Sequence, residues 1–72
     1  MSGVSIDFII RHVVNEYAEK YNSAYTYSEM HENIVRASIK ELNAHNIFGN
    51  DLEYIVKTYV EHLLKEKFKN NK

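Results

Sequence analysis

TYSEMHENIVRASIKELNAHNIFGND, residues 26–51, decides the fold, because it holds a helix start, an apolar stripe and a stop in one run. Thr26-Tyr27-Ser28-Glu29 fits a capping box, in which the threonine hydroxyl accepts from the Glu29 amide and the glutamate reaches back to the threonine amide. In that frame Tyr25 precedes the cap and Met30 is the fourth helical residue, the two positions of a hydrophobic staple. Ile34, Val35, Ile39 and Leu42 then recur at helical spacing. The joint NAHNIFGND ends the run. Gly49 can take a positive φ, and Asn50 is expected to cap the next helix with Glu53 as its box partner. Ile47 and Phe48, apolar in an otherwise polar loop, are expected to tuck under the end of a bundle.

The same periodicity extends on both sides. Upstream, Ile6, Ile9, Ile10, Val13, Val14, Tyr17 and Tyr21 share one helical face, opposite Arg11, His12, Asn15 and Glu19. Ser5 is the expected N-cap, with Val4 stapled onto Ile9, and Asn22 and Ser23 suit the helix end. Downstream, Leu52, Ile55, Val56, Tyr59, Val60, Leu63 and Leu64 make a third stripe that runs to Phe68. The chain has no proline and two glycines, so only these polar joints interrupt helix. The predicted fold is all-α, a three-helix bundle with helices over 6–21, 27–45 and 51–68. Residues 1–72 form a single helical domain whose ends, 1–4 and 69–72, are expected to fray. The tyrosines fit this plan: Tyr17, Tyr21 and Tyr27 fall in core arcs, and Tyr25 stands beside the cap.

Composition limits what such a fold can do. A chain of 72 residues without cysteine has no disulfide or thiolate metal site, so packing must stabilise it, within the chain or against a partner. No apolar run approaches the roughly 20 residues that span a bilayer. MSGVSIDFIIRHVV has no basic n-region or small-residue cleavage site, so an intracellular, cytoplasmic protein is expected. Nine basic against ten acidic residues give a net charge of −1, without the basic excess of a chain that grips phosphates. The lysines of KEKFKNNK suit a solvated helix C-terminus.

The apolar arcs point to association. On a helical projection helix 1 presents an arc roughly 140° wide, and helices 2 and 3 arcs of roughly 220° each, against about 100° for a helix packed on one side. A second chain covering helices 2 and 3, most simply in a symmetric homodimer, would account for the excess. The expected interface is Ile34, Val35, Ile39, Leu42, Val60, Leu64 and Phe68. Phe8 and Tyr54, apolar but off the core arcs, are candidates for a second partner. The function that follows is a small non-enzymatic protein–protein interaction module, an adaptor, inhibitor or regulatory subunit. The alternative is a small DNA-binding regulator using Arg36, Lys40 and Lys57, though helix 3 carries two acids in its middle and the second joint is long for a helix-turn-helix.

Catalytic chemistry finds no support. His31-Glu32 begins an HExxH pattern, but Val35 stands where the second histidine belongs. His12 and Glu16, with Glu19 nearby, offer fewer ligands than a structural zinc site needs. There is no phosphate loop, cysteine nucleophile or GxSxG elbow. No cofactor and no metal are expected. His31, Ser38 and His45, seven apart on one face, read either as a titrating seam or as a small residue between two satisfied histidines. The structural reading predicts that molecular mass in solution stays constant between about pH 5 and 8, as light scattering would show. A change of assembly in that window would make the histidines a switch.

Overall fold

Ser5 opens the first helix as the sequence requires: its Oγ accepts from the Phe8 amide at 3.1 Å and its carbonyl from the Ile9 amide at 3.2 Å. The computed structural model describes residues 5–20 and 26–69, apart from the side chains of Phe68 and Lys69. In it α1 spans Ile6–Lys20, α2 Tyr27–Ala44 and α3 Leu52–Lys69. The Val4 and Tyr25 staples, Tyr21, the Asn22-Ser23 stop, the Phe68 side chain and the fraying of 1–4 and 70–72 lie outside the described residues. Lys69 itself is still helical.

At the start of α2 the capping box is complete. Thr26 Oγ1 accepts from the Glu29 amide and Glu29 Oε1 from the Thr26 amide, both at 3.1 Å. Two amides that no helix could otherwise satisfy are thereby paired.

The far end of α2 departs from expectation. Asn46, not Gly49, takes the left-handed conformation, with φ 65°. The Asn46 amide donates to the Asn43 carbonyl and the Ile47 amide to the Leu42 carbonyl, both at 2.9 Å, with His45 as C-cap. This is a Schellman motif, and asparagine tolerates the left-handed region better than other residues with a Cβ. The motif brings Ile47 over Leu42, and Ile47 packs half-buried against the core. Phe48, one residue on, does not tuck under the bundle; it is 69% exposed. The start of α3 is also one residue later than expected. The Ile55 amide donates to the Asp51 carbonyl at 3.0 Å, so Asp51 holds the cap position and the Asn50–Glu53 box is out of register.

The three helices share one core. Ile10, Ile34, Leu42, Val56, Val60 and Leu64 are closed to solvent, with Val14 and Ser38 beside them. Each pair of helices is in contact. Ile6 faces Tyr54 and Ile55 while Val14 faces Leu63, so α1 and α3 run parallel. His31 Nε2 lies 3.3 Å from the Lys57 carbonyl, whereas Ile39 lies near Leu52, so α2 runs antiparallel to α3. Ser38 sits in the seam as the small residue expected there, and its Oγ has no hydrogen-bond partner.

Substitutions at two positions test this packing. Ser38→Ala removes an unsatisfied buried hydroxyl and improves helix propensity, and should raise unfolding free energy by about 1 kcal/mol in urea titration. A loss of stability would mean that the hydroxyl is satisfied. Asn46→Gly should stabilise by up to about 1 kcal/mol, whereas Asn46→Val should destabilise by a similar amount or more.

Candidate interaction surface

The expected helix-2/helix-3 interface is taken up inside the chain. Ile34, Leu42, Val60 and Leu64 have no exposed surface, Val35 is buried, and Ile39 packs half-buried against the same core. The arc of α2 is wide because α1 and α3 of the same chain cover it from two sides. Apart from Ile39, which borders a depression beside Phe48 and Leu52, these residues hold the bundle and present no face while it is folded. The Phe68 side chain is outside the described residues.

The residues set aside for DNA do not converge. Arg36 pairs with Glu32 at 3.3 Å and shares a shallow depression between α1 and α2 with Tyr17 and Lys40. Lys57 lies on the other side of α2, beside His31 and Val35. The two histidines of the apolar face are engaged locally. His31 stacks on Tyr27 with centroids 6.0 Å apart, and its contact with the Lys57 carbonyl makes Nε2 the protonated nitrogen, because a carbonyl can only accept. His45 lies 3.7 Å from Glu41, and His12 the same distance from Glu16. Among the described residues no group of three potential ligands could hold a metal. Burial, then the nearby Glu61, pushes the Tyr27 phenol above its ordinary value, while Lys65 opposes the shift.

Among the described residues the most apolar open groove lies between α1 and α3. Of the three helix seams this is the least closed. It forms a groove of about 550 Å³ with Ile10 on its floor, Ile6, Ile55 and Tyr59 on its walls and Thr58 near its middle. Ile55 is 47% exposed, and Tyr54, at the rim, is 73% exposed. Arg11 crosses the groove at one end. Its guanidinium stands 5.9 Å from the Tyr59 ring centroid, and Asp7 accepts from its Nε at 3.2 Å. Such a position suits an arginine, whose planar charge stacks on aromatic rings. Past Arg11 the seam becomes more polar, with Asn15, His62, Glu66 and Lys67 along it.

Of the two second-partner candidates, Tyr54 belongs to this groove. Phe8 is 63% exposed but does not line it. Sequence periodicity assigned Ile6, Ile55 and Tyr59 to the core. The available signal was the position of Ile55 at the edge of the wide α3 arc, because an edge residue is the first to lose cover when neighbouring helices diverge. Comparison with protein families, with curated proteins and with solved structures returns no match.

Proposed function

We propose that this protein is a small non-enzymatic interaction module, an adaptor, inhibitor or regulatory subunit, that associates through the α1–α3 groove. The observation that carries the reading is the groove itself, with apolar side chains from two helices and an exposed tyrosine at its rim. Interface cores are poor in charge and enriched in aromatic residues and arginine, and the centre of this face has that character, with Tyr54, Tyr59 and Arg11 about it. The module takes no catalytic residue and no cofactor. None of the described helices is long and apolar enough to cross a membrane. A DNA-binding regulator would need its cations on one face, and Arg36, Lys40 and Lys57 stand on two sides of α2.

A photo-crosslinking residue placed at Ile55 and activated in native extract tests the reading. The expected result is a discrete protein adduct that is lost when Tyr54→Asp is added, with none formed from the same probe at Lys40. No adduct from position 55, or steeply salt-sensitive retention on DNA, would overturn it.

A further inference from the structure

We infer that the occupant of the α1–α3 groove is an amphipathic helix of another protein, antiparallel to α1 and α3, with an acidic first turn beside Arg11 and Lys67. This rests on the reading of the groove as an association face, and names the chemistry of what fills it.

The seam between α1 and α3 has two halves of different chemistry that meet at His62. The first is the apolar groove of Ile6, Ile10, Ile55 and Tyr59. The second continues between the same helices as a cleft of about 470 Å³ lined by Arg11, Asn15, His62, Glu66 and Lys67. Hydrogen-bond donors dominate this second half. Asp7 engages only the Nε of Arg11, with Oδ1 at 3.2 Å and Oδ2 at 3.3 Å. The terminal nitrogens of the guanidinium carry all but one of its N–H groups and have no partner among the described residues. Nor does Lys67 form an ion pair with any described residue. The Asn15 amide and the His62 ring add further donors, and among the described residues Glu66 is the one acid lining the cleft.

Tyr59 stands where the halves meet. The Arg11 guanidinium lies 5.9 Å from its ring centroid, and the His62 ring lies 6.5 Å away at 16° to its plane. Attraction to the ring holds the arginine at this boundary.

An apolar half followed by a donor-rich half complements a partner with an apolar body and an acidic end. A small molecule binds where most of its own surface becomes buried, whereas here Tyr54 and Ile55 stand exposed at the rim. Two parallel helices flanking an open apolar groove fit a third helix laid between them. α2 already lies against both α1 and α3 from one side, antiparallel to them. A helix in the opposite groove, running in the direction of α2, completes an up-and-down four-helix arrangement.

That direction brings the partner's first turn beside Asn15 and Lys67. Acidic side chains are favoured there by the helix dipole and by the donors alike. A helix running the other way would place its last turn there, the turn that favours cations, against Arg11 and Lys67. Charge and dipole therefore select the same orientation. From Tyr54 to Lys67 the seam runs about 20 Å at 1.5 Å per residue, the length of a partner helix of about fourteen residues. Apolar side chains at helical spacing in its last two turns would cover Ile10 and Ile55.

A phage library of alanine-rich helices of about fourteen residues, randomised along one face and selected on the unmodified chain, tests this. Retained peptides should carry Asp or Glu in the first turn and apolar residues at helical spacing behind it. One such acid-first peptide, made synthetically, should lose most of its binding to Ile55→Asp and to Thr58→Arg. Thr58 is exposed, so the second variant leaves the core untouched. Arg11→Gln combined with Lys67→Gln should weaken binding about tenfold, the worth of two ion pairs together. Lys40→Gln, on the α1–α2 side, should leave it unchanged.

Selected peptides with basic first turns, or with their acids in the last turn, would overturn the inference. So would a library from which the chain retains no peptide more strongly than its Thr58→Arg variant does. Binding of decanoate or phosphatidylglycerol vesicles that Arg11→Gln abolishes, with no peptide retained, would assign the donors to a lipid instead. If the Ile55 probe still formed its protein adduct in any of these cases, the association reading would survive the failure of the helix.

Discussion

Ile10, Ile34, Leu42, Val56, Val60 and Leu64 lose all contact with solvent in a single seam to which every helix contributes. In a 72-residue chain without disulfides, this burial has to offset most of the conformational entropy of folding. The consequence reaches the surface. Each helix turns the centre of its apolar arc inward, and only arc edges remain for outside contact. On α2 both edges are covered, by α1 and by α3. On α1 and α3, which run parallel and touch each other least, the edges stay open as the groove of Ile6, Ile10, Ile55 and Tyr59.

The ends of α2 fix where that opening falls. The Thr26–Glu29 box sets the first residue of α2, and the Asn46 turn sets its last and directs Ile47 back onto the core. Between these ends α2 has a fixed register against α3, marked by His31 beside the Lys57 carbonyl. The first turn of α3 is thereby delivered next to the first turn of α1. Tyr54 and Ile55 come to lie beside Ile6.

Much of the fold was legible in the sequence because its signals are local. Ser5 and Thr26 act through bonds to residues three positions away, and the stripes of α1, α2 and α3 follow from periodicity alone. The turn after α2 was less legible. NIFGND offers both Asn46 and Gly49 for a positive φ, and only the 2.9 Å bonds back to Asn43 and Leu42 settle it. The open groove was not legible for a physical reason. Arc width measures how much surface a helix buries but carries no record of which neighbour buries it. For Ile34, Leu42 and Val60 the neighbours are in the same chain. Tyr54 stood out correctly as exposed, yet its neighbours in the groove, Ile6, Ile55 and Tyr59, looked like core, since nothing in a one-dimensional pattern shows two helices diverging.

A series of two-dimensional amide spectra at rising concentration of the acid-first peptide tests association through α1 and α3 most directly. Association at the groove requires shifts with concentration at Ile6, Asp7 and Ile10 and along α3 from Tyr54 to His62, with the Arg36–Lys40 face of α2 unchanged. Concentration-dependent shifts confined to α2 would contradict it.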